Sequence, residues 1–225
     1  MPSEAGVKVI LLLSLLSMVA MAQEKAVPSD QDPMHKTVFK NDYVIVLRVT
    51  LAEGQSTGWH THSRDAMAVR LSTAKTKMQN LGDEQGKIVE HYPGEVSAND
   101  YVKSPLTHKV SNAGTTAFDV FDVEAFKRFD GPHGEAIGPV AAENATMRAY
   151  KYELAPGQSS PQHTHERPYL IIAATPMQLK MTGADGQAME HHVDTGDLHW
   201  IDQKVTHTLT NTGKENGVIV EVEWK

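Results

Sequence analysis

The chain has 225 residues and no cysteine. That excludes disulfides, thiolate zinc and iron–sulfur sites, and cysteine nucleophiles. Aromatic side chains make up only 6%, and 28 acidic against 21 basic residues leave a formal charge of −7. A surface of that sign does not favour phosphate backbones or anionic lipid, so nucleic acid is not an expected partner. Long helical periodicity is also missing, which argues against a helical fold. Hydrophobic residues still amount to 40% of the chain, enough for a buried core in one or two domains.

The apolar run Val9–Ala20 follows Lys8 and precedes Ala20-Met21-Ala22. It is shorter than the roughly 20 residues a membrane span takes, and small residues at −3 and −1 mark a cleavage site. Residues 1–22 are therefore expected to be a secretory signal peptide. The mature chain would then be periplasmic or secreted, with no membrane attachment, and its lack of thiols suits an oxidising compartment.

The remainder is duplicated. Tyr43–Ser56 resembles Thr146–Ser159 at an offset of 103 (Gly157 against Gly54), and the same offset carries His60-Thr-His62 onto His163-Thr-His165 and Arg64 onto Arg167. Further on, Thr107–Gly114 resembles Thr206–Gly213 at an offset of 99 (His207 against His108), and Phe118–Glu124 matches Gly217–Glu223. Segments rich in Val, Ile, Thr and Tyr predict strands at Val44–Thr50, Met67–Leu71, Val89–Tyr92 and Ala117–Glu124. Their partners are Met147–Leu154, Leu170–Ala174, Met189–Val193 and Gly217–Trp224. Glycines at Gly82, Gly114 and Gly186 are expected to supply positive-φ turns. The predicted fold class is all-β, with an N-terminal barrel over 37–126, a linker over 127–144 and a C-terminal barrel over 145–225.

Twelve histidines are many for this length. Residues two apart on a strand share a face, so His60 pairs with His62 and His163 with His165. A third imidazole follows in each half, at His108 or His207. Three converging neutral imidazoles would hold Fe, Mn, Ni, Cu or Zn and leave positions open for water, oxygen or substrate.

These residues resemble the cupin superfamily, as two copies in tandem. The family's first motif is matched by Gly54, five residues and His60-Thr-His62, and by Gly157, five residues and His163-Thr-His165. The second motif is matched by His108 with Asn112 and by His207 with Asn211. The resemblance implies two jelly-roll barrels with metal held inside each, by His60, His62 and His108 and by His163, His165 and His207. The motif glutamate is absent: Ala66 or Met67 stands in its place in the first copy, Tyr169 or Leu170 in the second. The Pro-x-Gly before the last histidine is absent from both copies. Such departures resemble three-histidine cupin dioxygenases.

Other residues have two readings each. Tyr169 would hydrogen-bond a substrate or activated oxygen, or fill the barrel. Arg64 and Arg167 would clamp a carboxylate or enolate, or pair with acids at the rim. His191, His192 and His199 are expected at the rim, with His91 opposite His191, and Met78 and Met181 in the core. The second histidine set is the favoured one. The function expected is a dioxygenase-type oxidoreductase, dependent on a divalent transition metal and acting on a small anionic or enolisable substrate. A non-catalytic ligand-binding or structural cupin and a metal-dependent isomerase or lyase are the alternatives, and a homodimer is open to such barrels.

Overall fold

The computed structural model describes residues 25–130 and 134–225. The signal-peptide reading of 1–22 lies outside the described residues. These are all-β, with a single 3₁₀ turn at Ser29–Gln31, and no helix among them is long and apolar enough to cross a membrane.

The first half begins with β1 (Val27–Pro28), β2 (His35–Lys40), β3 (Val44–Leu51), β4 (His60–His62) and β5 (Ala66–Arg70). It continues through β6 (Ala74–Asn80), β7 (Lys87–His91), β8 (Val96–Asn99), β9 (Leu106–Asn112) and β10 (Phe118–Ala125). The second half runs from β11 (Val140–Glu143) and β12 (Met147–Leu154) to β13 (His163–His165), β14 (Tyr169–Ala173) and β15 (Met177–Gly183). It ends with β16 (Ala188–Val193), β17 (Leu198–Ile201), β18 (Val205–Asn211) and β19 (Gly217–Trp224).

Each half folds as two facing sheets. The first has the orders β1-β4-β9-β6-β7 and β2-β3-β10-β5-β8; the second has β13-β18-β15-β16 and β11-β12-β19-β14-β17. Apart from the short β1, which pairs in parallel with β4, the two halves have the same strand order. The ladders put the repeat in register: Asp122 lies opposite Leu47 and Ala68, and Glu221 opposite Tyr150 and Ile171. Strand β11 falls within the stretch expected as linker, and β2 starts two residues before the expected barrel boundary.

Strands β3, β10, β12, β14 and β19 are largely buried because both of their faces are covered. One face of each closes its own barrel. The other packs the two long sheets back to back through Val44, Val46, Met67, Met147, Val222 and Trp224. Trp200 meets Trp224 edge-on there, with ring centroids 5.0 Å apart. The barrels are thus joined by a shared hydrophobic layer.

Local turns set the entry to each His-x-His strand. Gly54 and Gly157 have φ of +73° and +77°, a region where a Cβ is strained. Gly82 and Gly186 also take positive φ, as expected. Gly114 does not, because its turn is built from a side chain: Asn112 Oδ1 accepts from Gly114 N at 2.9 Å. Asn112 Nδ2 also donates to Leu51 O and Thr116 O. Asn211 repeats this arrangement with Leu154, Glu215 and Gly213.

Candidate metal centres

The strand pairing brings the six histidines together as two trios. His60 sits opposite His108 across β4 and β9, and His163 opposite His207 across β13 and β18. In the second barrel the Nε2 atoms of His163 and His207 are 2.8 Å apart. Glu221 reaches all three imidazoles: its Oε2 is 3.0 Å from His163 Nε2 and 3.1 Å from His165 Nε2, and its Oε1 is 3.1 Å from His207 Nε2. The acid missing from the motif position is therefore supplied by β19. Burial opposes the ionised form of Glu221, yet the three histidines hold its carboxyl well below the usual carboxylate range. Burial also works against the charge on His165, but Glu221 and Glu223 outweigh it and raise its pKa to about 9.

The first barrel is built differently. Asp122 occupies the place of Glu221 and is one methylene shorter, and His35 fills the gap. The ligating atoms that come within 4.8 Å of one another belong to His35, His60 and His62. His108 packs against His60 and His62 with ring centroids 4.5 and 5.1 Å away, and neither of its nitrogens has a hydrogen-bond partner. His35 Nδ1 is 3.0 Å from Asp32, and its Nε2 is 3.6 Å from Asp122. Burial would lower the His35 pKa, but these two acids raise it to about 9. His60 and His108 go the other way, to about 4 and about 3, through burial and neighbouring imidazoles, so both are neutral.

The donor chemistry fits a divalent transition metal in both barrels. Gly58 O and Pro161 O can only accept, so His60 and His163 carry a proton on Nδ1, at 3.0 and 2.9 Å from those oxygens. That frees Nε2 to face inward as a ligand. Nδ1 of His62 is 2.8 Å from Glu124, and Nδ1 of His165 is 3.3 Å from Glu223. A carboxylate or carbonyl behind each of these four imidazoles fixes its tautomer, as metal-ligating histidines usually require. Two Nε2 atoms 2.8 Å apart beside a buried carboxylate form a pocket of lone pairs suited to a cation.

What surrounds the two trios differs most. A cavity of about 170 Å³ opens beside the first, lined by His35, His60, His62, His108, Asp122 and Tyr101 among others. Tyr101 stacks on His62 with centroids 5.2 Å apart. In the second barrel Tyr169 lies flat on His165, centroids 3.6 Å apart and planes within 10°. Tyr152 similarly stacks on His163. Tyr169 and Ile171 occupy the places of Ala66 and Ala68, and Tyr152 the place of Val49. Gly138 leaves room for Tyr152, whose hydroxyl would lie 2.5 Å from any Cβ built there. An apolar depression of about 460 Å³ lies elsewhere in the second barrel, bordered by Ile171, Leu179, Met181 and Val193 and by none of its three clustered histidines.

The other expected site residues fall outside the cavity. Tyr169 is fully buried with no hydrogen-bond partner for its hydroxyl, so it fills the barrel. Arg64 donates to Glu124 at 2.8 Å and to Asp30 at 3.2 Å, which holds it behind His62 at the rim. Arg167 lies over the Phe129 ring, 5.0 Å from its centroid, and lines no histidine cavity. His191, His192 and His199 are exposed, and His191 and His199 border the apolar depression of the second barrel. The partner of His91 in the repeat is Val193 and not His191: His91 lies opposite Ala74, Val193 opposite Met177.

Several residues escaped the sequence reading. Asp122 and Glu124 match Glu221 and Glu223 in the duplicated strand, and acids two apart in an apolar run are the signal that could have found them. His35 has no such signal, because its repeat partner is Gly138.

No family model matches the chain, and no curated protein matches it in sequence. Solved structures match its fold. AerE from Microcystis aeruginosa aligns over 86% of this chain and 98% of its own length, with 12% identity and a TM-score of 0.58. A single-residue variant of oxalate decarboxylase from Bacillus subtilis aligns over 81% and 69%, with 12% identity and a TM-score of 0.55. A single-residue variant of salicylate 1,2-dioxygenase from Pseudoaminobacter salicylatoxidans aligns over 83% and 72%, with 10% identity and a TM-score of 0.53. The chain therefore has the cupin fold twice over, with buried histidine clusters that could hold a metal ion.

Proposed function

We propose that the first barrel is the reactive centre of a metal-dependent, dioxygenase-type oxidoreductase acting on a small molecule, and that the second holds a sealed metal site. The observation that carries this is the cavity that reaches His35, His60, His62 and His108, whereas in the other copy Tyr169 and Tyr152 stack on the histidines and the cavity there borders none of the three. The preference for the second trio held on sequence alone is thereby reversed. A salicylate 1,2-dioxygenase of the same fold has been solved with gentisate bound, which supports small-molecule chemistry in such barrels.

A divalent metal bound by the histidines would supply a Lewis acid and a meeting point for substrate and dioxygen. The chain's own residues do the rest. Gly58 O and Glu124 orient His60 and His62, so their Nε2 atoms face the cavity. Asp32 and Asp122 flank His35 and fix its ring beside the cavity. Tyr101 walls one side against His62, and its pKa is pushed up by burial, so it stays a neutral hydroxyl.

Oxygen uptake by metal-reconstituted protein against enols, diols and thiols tests this reading. His60→Ala is expected to abolish turnover, whereas His163→Ala retains a folded, active chain. Turnover lost in His163→Ala and kept in His60→Ala would assign the chemistry to the other barrel. Metal-dependent turnover without oxygen consumption would favour an isomerase or lyase. Export is proposed from Val9–Ala20 and the Ala20-Met21-Ala22 site, and a mature N-terminus at Gln23 tests it.

A further inference from the structure

We propose that Arg70 binds the carboxylate of a small, ring-sized organic acid in the first barrel and directs the rest of that molecule toward the histidines. This rests on the first barrel being the reactive chamber. Arg70 ends the strand face Ala66, Ala68, Arg70, and all three residues line the cavity. Its Nη1 donates to Ala68 O and to Ser97 Oγ, both at 2.7 Å. Its Nε is buried and has no hydrogen-bond partner. No Asp or Glu among the described residues lies within 4.0 Å of its guanidinium, although Asp122, Glu95 and Tyr101 act on it from further away.

A guanidinium stays charged in a protein, and a partly buried one without a counterion is strongly destabilising unless an anion completes it. The fold itself does not call for a cation here, because the same place in the second barrel is Ala173. Burial lowers the Arg70 pKa from its ordinary value, in keeping with a charge the protein leaves uncompensated.

The ladder sets the ligand's length. Arg70 pairs with Val120 and Ala68 with Asp122, so the cation stands two residues along the strand from the Asp122 end of the cavity. Two residues span about 7 Å. A cavity of about 170 Å³ holds a molecule of about one aromatic ring, since a void of about 150 Å³ takes up benzene. Arg70, His91 and Ser97 also border a shallower outer depression with Glu95 and Lys151, which puts the charged end of the ligand toward solvent. The planar, bidentate fork of arginine suits a carboxylate, and a neutral ligand of that shape would leave the cation unpaired.

Calorimetric titration of the purified chain with benzoate and its neutral isostere benzamide tests the assignment, in metal-loaded and chelator-treated protein. Benzoate is expected to bind at least about tenfold more tightly than benzamide. Arg70→Gln should abolish that preference, Arg70→Lys should keep part of it, and both should leave metal content unchanged. Ala68→Ile, which installs the second barrel's residue, should prevent binding of either probe. Equal affinity for the two probes in the natural protein, or a preference that survives Arg70→Gln, overturns the proposal. If it fails while His60→Ala still releases metal, only the Arg70 assignment is lost. If benzoate binds through Arg70 while His60→Ala and His62→Ala keep full metal content, the anion site stands and the reactive-centre reading falls.

Discussion

Ala66 and Tyr169 hold the same place in the duplicated fold. Ala66 pairs with Glu124 and Asn99, and Tyr169 with Glu223 and Ile201. The methyl group leaves space over the first histidine trio, whereas the phenol closes the second by stacking on His165. One position, occupied by the smallest and nearly the largest of side chains, separates a chamber from a core.

Tyr169→Phe follows directly. The Tyr169 hydroxyl is buried and makes no hydrogen bond, and an unsatisfied buried polar group costs about 1–3 kcal/mol. Removing it should leave stability unchanged or raise it by about 1 kcal/mol, with activity retained. Urea unfolding and oxygen uptake check this. Activity lost on that single-atom deletion would restore a catalytic role to the phenol.

Glu221 and Asp122 should respond unequally to neutralisation. Glu221 is fully buried against three imidazoles, and breaking a buried ionic network by removing one partner costs about 3–5 kcal/mol. Asp122 faces the cavity and makes one ion pair, at 3.6 Å to His35. In metal-free protein Glu221→Gln should lower stability by that amount, and Asp122→Asn by clearly less, measured by denaturant midpoints. Equal losses would contradict the sealed-versus-open distinction.

Stability should fall in mild acid through His91. Its ring is 3% exposed, Thr76 Oγ1 lies 2.8 Å from Nε2, and burial with nearby Arg70 lowers its pKa to about 4. The unfolded chain, at the ordinary value of 6.5, therefore binds the proton first as pH drops. The stabilisation by neutral His91 is full above about pH 6.5 and is lost progressively toward pH 4, to a limit of about 3 kcal/mol. His91→Gln should flatten this limb of the stability–pH curve. A variant with an unchanged slope would assign the acid lability to other groups.

Arg64 holds the carboxylate that orients His62, and metal affinity should register it. Arg64→Gln removes a 2.8 Å bond to Glu124, and losing such an outer partner commonly weakens metal binding about 10- to 100-fold. Competition with a chromogenic chelator measures it. Unchanged affinity would make the arginine a rim ion pair only.

The duplication and its histidines were legible because spacing on a strand dictates facing: His60-Thr-His62 and His163-Thr-His165 could only point one way each. The predicted strands Val44–Thr50, Met147–Leu154 and Gly217–Trp224 match the structure closely, since their apolar runs are covered on both faces. The acid of the second cluster was looked for near Tyr169, where the motif places it. It comes instead from Glu221, far along the chain, and only the β14–β19 pairing shows that Glu221 and Ile171 are neighbours. His35 was invisible because its role depends on packing against His60, ring centroids 4.4 Å apart, and on Asp122 being short. Arg70 carries no signal in the sequence, because its lack of a nearby acid depends on which strands the fold sets around it.

Chelator extraction followed in time tests the central contrast most directly. The metal-loaded chain should release one ion quickly from the open first barrel and one slowly from the sealed second. His62→Ala should remove the fast phase alone, and Glu221→Gln the slow phase alone. A single phase shared by both sites, or a fast phase that persists in His62→Ala, would contradict it.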